Sequence, residues 1–173
     1  MKIFLRPIEK SDTQLILTWR NSEKVLSHCL SKTPITEESH LKFFNEFITT
    51  GKYKQFIVEC LEMNTGVAAY PIATVYLKDM DTVNNRCELC VFTSNDKEWI
   101  AESQSKAIKM LIDKAFNEYG MHKVYTYAFY KYSEEVELLK ASGFSIETIL
   151  KEEAINEKGG YDDIVRLSVI NDK

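Results

Sequence analysis

Along the first residues, "KIFLRPI" at 2–8 alternates apolar and polar positions and predicts a strand. The period then changes. In "SDTQLILTWRN" the apolar Leu15, Ile16 and Trp19 recur at helical spacing, and Ser11 is placed to cap the helix. A second helix is predicted in "TPITEESHLKFFNEFI", with Thr36 and Ser39 as capping residues and Ile35, Leu41, Phe44 and Phe47 as its apolar stripe. Three strand-like runs follow, "KQFIVECLE", "AAYPIATVYLKD" and "NRCELCVFT", separated by the turn-forming "MNTG" and "MDTVNN". They predict an antiparallel meander. Pro71 lies inside the middle run and has no N–H to give, so a bulge or an edge position is expected there.

In "EWIAESQSKAIKMLIDKAF" at 98–116 the spacing is helical again. Ile100, Gln104, Ala107, Ile108, Leu111 and Ala115 fall on one face, and Glu102, Lys106, Lys109, Asp113 and Asn117 on the other. Gly120 ends this helix. "MHKVYTYAF" then reads as a strand, "SEEVELLKAS" as a short helix closed by Gly143, and "FSIETILKEE" and "YDDIVRLSVI" as two last strands joined through "NEKGG". The order is β α α β β β α β α β β: one α/β domain over residues 1–173, built on a mixed sheet, with no linker or repeat.

Composition narrows the function classes. At 45% hydrophobic and 28% charged residues the chain reads as a folded globular domain. Its net charge of -4 argues against nucleic acid as a partner, which would call for a clustered basic face. The longest nearly apolar run, "GVAAYPIATVYL", is too short to span a bilayer and contains proline, and the N-terminus lacks the apolar segment of a signal peptide, so a cytoplasmic protein with no membrane partner is expected. The cysteines at 29, 60, 87 and 90 suit that compartment as buried small hydrophobes. "CELC" is half of a zinc motif, but it lies in a strand, where residues three apart face opposite ways, and no second pair follows. No metal site is expected.

Several segments, taken in order, carry a resemblance: "LRPIEKSDTQLILTWRN", "ITEESHLKFF", "RCELCVF", "AFNEYGMHKVY", "SGF" and "GGYDDIVRLSVI". Together the chain resembles the GNAT superfamily of acetyl-CoA-dependent N-acetyltransferases, in the branch of ribosomal-protein, spermidine and amino-sugar acetyltransferases. The resemblance implies a GNAT fold whose fourth and fifth strands splay apart, the fourth ending in Val91, Phe92 and Thr93, whose backbone would bond the pantetheine arm of acetyl-CoA as an added strand. It implies that the turn and helix start at Trp99, Ile100, Ala101, Glu102, Ser103, Gln104 and Ser105 hold the pyrophosphate on backbone N–H groups. A backbone N–H near the splay would stabilise the oxyanion.

This turn departs from the family pattern of Gln/Arg-x-x-Gly-x-Gly/Ala, because Trp99, Glu102 and Gln104 stand at the three defining positions. Held within about 5 Å of a phosphate charge, the Glu102 carboxylate would be repelled by about 3 kcal/mol at an effective dielectric of 20. Two readings stand: the cofactor turn survives with Glu102 aimed at solvent, or Glu98 and Glu102 serve only the positive end of a helix dipole. The family's thiolate-protonating Tyr is also replaced, by Leu139, with Tyr132 seven residues earlier as a substitute donor or an ordinary packed aromatic.

Alkyl amines are almost wholly protonated at neutral pH, so a base or a water wire must help. Glu88 matches an acidic position on the family's fourth strand and could take the proton directly or through water; its other reading is a strand carboxylate that binds substrate or pairs with Arg86 or a lysine. Trp19, Arg20, His40 and Phe44 lie on the helices that wall the acceptor pocket in relatives, where they would either sort amines or simply pack. Asp162 and Asp163 would contact a cationic acceptor or cap a turn. The expected activity is acetyl transfer from acetyl-CoA, as co-substrate, to a primary amine by direct attack. The amine is an amino sugar, a polyamine-like metabolite or a peptide. The alternative is a non-catalytic GNAT-fold protein whose degenerate cleft binds a ligand or partner. Oligomeric state, a homodimer included, is left open.

Overall fold

The computed structural model describes residues 2–62, 68–92, 94–156 and 158–172. Seven strands form one sheet: β1 (Ile3–Pro7), β2 (Lys54–Glu62), β3 (Ala68–Asp81), β4 (Arg86–Phe92), β5 (Lys123–Phe129), β6 (Ser145–Ile155) and β7 (Tyr161–Ile170), in the order β1-β2-β3-β4-β5-β7-β6. All neighbours are antiparallel except β4 and β5, which run parallel. The helices are α1 (Thr13–Arg20), α2 (Glu23–His28), α3 (Glu37–Phe43), α4 (Ala101–Asn117) and α5 (Ser133–Ala141).

Side-chain alternation along the strands gives each face its cover. On one face Ala107, Ile108, Leu111 and Ala115 of α4 join Val75, Leu77, Cys87 and Leu89 in the main core, which Val136 and Leu139 of α5 also enter. On the other face Ile57 meets Ile8 and Ile16, with Trp19, Ile35, Phe44 and Ile48 packed around them. Period two on β2 thus divides Ile57 from Phe56 and Val58.

Several local expectations hold. The β2–β3 register steps from Val58↔Ala73 to Glu59↔Pro71, leaving Ile72 unpaired in a bulge beside the proline. Thr36 and Ser39 form a reciprocal capping box at the start of α3, with Ser39 N–H donating to Thr36 Oγ1 at 3.1 Å and Thr36 N–H to Ser39 Oγ at 2.9 Å. Gly120 and Gly143 take positive φ after α4 and α5. The "MNTG" turn lies outside the described residues.

Three expectations are corrected. A turn of 3-10 helix at Lys10–Asp12 precedes α1, and Asp12, not Ser11, closes the start by accepting the Glu9 N–H at 2.8 Å. The same carboxylate receives the Arg6 guanidinium, which fixes this turn to β1. Ile100, expected on the buried face of α4, is 49% exposed, because it is the extended N-cap residue outside the helical turn. Helix α2 was not expected: it is only six residues long with Val25 as its single buried position, too short to show a period.

Candidate active site

The parallel ladder between β4 and β5 is short. It joins Arg86, Cys87 and Glu88 to Lys123, Val124 and Tyr125. Beyond Glu88, β4 continues to Phe92 bonded to β3, while β5 continues to Phe129 bonded to β7. The two strands therefore part, and a cavity of about 900 Å³ opens between them. Its walls include Leu89, Val91 and Phe92 of β4, Ala101, Gln104 and Ile108 of α4, Thr126 and Tyr127 of β5, and Leu138 and Leu139 of α5. Strand edges with no strand partner there can bond an extended chain laid between them.

The N-terminus of α4 sits at one side of this slot. Gln104 N–H makes the first helical bond, to Ile100 O at 2.9 Å, so the amides of Ala101, Glu102 and Ser103 precede the helical ladder and have no intrahelical acceptor. That first turn can receive a diphosphate. Glu102 does not block it. Its carboxylate is 59% exposed and bonded to Lys106 Nζ at 2.5 Å, which holds its pKa below the ordinary value. Ser103 is buried, with its hydroxyl donating to the carbonyls of Glu98 and Ile100, and Gln104 Nε2 donates to Trp99 O. Ser105 Oγ accepts from Ser142. These side chains brace the turn, and what the turn offers outward is backbone.

Of the residues proposed for the cofactor, Val91, Phe92, Ala101 and Gln104 line the cavity. Thr93 lies outside the described residues. Trp99 is corrected: its side chain is 4% exposed in the main core and its backbone N–H already donates to Asp96 O at 3.1 Å, so it has no amide left for the pyrophosphate.

On the α1–α3 side of the sheet, alternation brings Tyr76 and Lys78 of β3 beside Cys90 and Glu88 of β4, in the register pairs Tyr76↔Cys90 and Lys78↔Glu88. Glu88 is nearly buried, with Lys78 Nζ at 3.1 Å and the Cys90 thiol donating to it at 3.2 Å. Burial opposes the charge on Lys78, but the Glu88 carboxylate beside it favours the ammonium, and its pKa is raised. Burial pushes the Cys90 thiol and the Tyr76 phenol well above their ordinary values, so both stay protonated. The lysine reading of the Glu88 partner is the one observed: Arg86 pairs with Asp81 instead.

Tyr132 and Leu139 both line the cavity. Tyr132 stands at the N-cap of α5, stacked on His28 with centroids 4.2 Å apart, and its hydroxyl donates to Ser27 O at 3.4 Å. Close by, Glu135 Oε2 is shielded without a hydrogen bond, 4.0 Å from His28 Nε2, and burial raises its carboxyl to about 7.

The expected acceptor wall is redrawn. Arg20 lines the cavity, but Trp19 and Phe44 pack in the smaller core around Ile16, and His40 is 3% exposed with Nδ1 at 3.2 Å from Thr13 Oγ1. Burial lowers the His40 pKa. In their place α2 and the segment after it supply Lys24, His28 and Cys29. Sequence reasoning missed Lys78 and Cys90, although period two from Glu88 would have found Cys90 on the same face. Asp162 and Asp163 are bonded to Lys131 and Lys151 at 2.6 Å each, and Asp163 also accepts the Glu152 N–H. Cys87 is fully buried on the opposite face from Cys90, and among the described residues no cluster of metal-ligating side chains occurs.

A mixed sheet parted between its parallel strands, with a helix N-terminus at the slot, defines an α/β protein made to take an extended, phosphate-bearing ligand. Residues 5–165 match the family model described as acetyltransferase (GNAT) domain, and the chain belongs to that family. Acetyl-CoA is the co-substrate of GNAT acetyltransferases, and the parted strands and the open first turn of α4 fit it. The fold is also that of spermidine N-acetyltransferase from Vibrio cholerae solved with CoA and spermine, at 21% identity and a TM-score of 0.84, covering 97% of this chain and 95% of that one. A chimera of that enzyme with hSSAT is similar at 19% identity and a TM-score of 0.82, covering 98% and 96%. No curated protein matches the chain. Among the described residues no helix is long and apolar enough to cross a membrane.

Proposed function

We propose that the chain is an N-acetyltransferase that moves acetyl from acetyl-CoA to a primary amine by direct attack. The observation that carries this reading is the parting of β4 from β5 after Glu88, which opens a slot ending beside a nearly buried carboxylate. The pantetheine arm would lie along Val91 and Phe92, with the diphosphate on the amides of Ala101, Glu102 and Ser103. The bound thioester supplies the activated acetyl group. Glu88 takes the proton that the acceptor ammonium must lose before its nitrogen can attack, directly or through water, and Lys78 and the Cys90 thiol hold its carboxylate in place. Tyr132, one of several hydroxyls lining the cavity with Tyr76, Thr126 and Tyr127, would return a proton to the leaving sulfur, since Leu139 cannot. An amino sugar, a polyamine-like metabolite and a peptide amine each meet this chemistry.

Calorimetric titration with acetyl-CoA tests the cofactor half. Micromolar binding is expected, and none up to millimolar would favour a non-catalytic ligand-binding protein, a reading to which the Lys78–Glu88 pair lends itself because it occupies the carboxylate. A thiol-release assay over a panel of amines tests the transfer.

A further inference from the structure

This inference rests on the acetyltransferase reading and concerns which amine the cleft accepts. The cavity is lined by the carboxylates of Glu88, Glu134 and Glu135 and by the cations of Arg20, Lys24, Lys78 and Lys131. Their partners decide which charges remain for a ligand. Glu88 is matched by Lys78 at 3.1 Å, and Lys131 is bonded to Asp162 at 2.6 Å. Glu135 holds a proton about half the time near neutral pH, since burial raises its carboxyl to about 7.

Arg20 and Lys24 differ from these. Lys24 Nζ donates to the carbonyl of Ser94 at 3.0 Å and Arg20 Nη2 to the carbonyl of Ser31 at 3.1 Å, both neutral acceptors. Arg20 Nη1 is shielded from solvent and has no partner, and the guanidinium lies 6.0 Å from the centroid of Phe92. Both cations therefore flank the end of β4, the part of the strand that has left β5. A guanidinium nitrogen shielded from water with its N–H unanswered is costly until an acceptor meets it. Its planar fork suits a carboxylate or a phosphate. A polycation would instead meet two positive charges that are hydrogen-bonded only to neutral carbonyls, with Glu134 and Glu135 on the α5 wall as the carboxylates left to receive it.

We propose that the acceptor is an amine that also carries an anionic group, carboxylate or phosphate, held by Arg20 with help from Lys24 while the amine faces Glu88. Matched amines test this: n-butylamine, 1,4-diaminobutane, 4-aminobutanoate and 3-aminopropylphosphonate. Each is titrated calorimetrically into protein saturated with CoA, and each is assayed with acetyl-CoA for kcat/KM. The carboxylate or the phosphonate amine should bind and react about 10-fold better than n-butylamine, with the diamine poorest, and the better of the two identifies the anion. R20Q should lower kcat/KM for that amine by about 10-fold and for n-butylamine far less, and K24Q should do the same more weakly. A preference for the diamine, no binding of either anionic amine, or an R20Q defect in acetyl-CoA affinity in place of acceptor affinity would overturn the proposal while leaving the acetyltransferase reading intact. Failure of acetyl-CoA itself to bind would remove both.

Discussion

Lys78 Nζ lies 3.1 Å from Glu88 Oε1 across the β3–β4 pair, at the last position where β4 is still bonded to β5. The ion pair thus sits where the sheet divides. Glu88→Gln should slow turnover by about 10-fold or more and flatten the acid limb of the pH–rate profile, as expected for a proton acceptor. An unchanged profile would take Glu88 out of the mechanism. Lys78→Met leaves a nearly buried carboxylate unpaired and should cost about 1–3 kcal/mol of stability in denaturant unfolding, with much of it recovered in the K78M/E88Q double variant.

The acidic residue in the cofactor turn should matter less than its sequence position suggests. Glu102 is turned to solvent and neutralised by Lys106, so Glu102→Gly should change the Kd for acetyl-CoA by no more than about threefold. Lys106→Gln exposes the carboxylate charge and should weaken binding by a larger factor. Tightening of a hundredfold in E102G would show that repulsion had been the obstacle after all.

Tyr132→Phe removes a hydroxyl and leaves the ring stacked on His28. If this hydroxyl returns a proton to the leaving sulfur, kcat should fall by about 10-fold or more with KM for acetyl-CoA unchanged. Equal thiol-release rates in the two proteins would assign Tyr132 to packing.

Glu135 should imprint a pH dependence on stability. Its carboxyl is raised from 4.5 to about 7, so between those values the folded chain keeps a proton that the unfolded chain has lost. Stability from this group is therefore full below about 4.5 and falls as pH rises through 7. Glu135→Gln should remove that fall, so that its Tm exceeds the wild-type value above pH 7 and the difference shrinks towards pH 4.5. A difference that does not vary with pH would refute the shift.

His40 works in the opposite direction. Burial lowers its pKa from 6.5, so the stability its neutral ring contributes is present above that value and is lost as pH falls below it. Thermal unfolding of His40→Gln should show a flatter decline below pH 6.5 than the wild type.

The elements were legible because period and punctuation are local. Period two marked β2, β3 and β4, the stripe Ala107–Ile108–Leu111–Ala115 marked α4, and Gly120 and Gly143 marked helix ends. Helix α2 was not legible, since six residues with one buried position carry no period. The acceptor wall shifted for the same reason. His40 and Phe44 occupy the predicted α3 region, but whether a side chain faces a cavity or a core depends on the neighbour it packs against, and that neighbour was α1 and β2.

By itself, then, the sequence determined the order of strands and longer helices, an irregularity at Pro71 and capping residues at Thr36 and Ser39, because each depends on residues a few positions apart, while Glu88 as a candidate base came from the resemblance. Only the tertiary structure decided that β4 leaves β5 after Glu88, that Lys78 meets this carboxylate from the neighbouring strand, and that Glu102 turns away from the slot to Lys106. Strand partners and cavity walls come from segments distant in the chain, and their side-chain directions are fixed by packing, which no local pattern encodes.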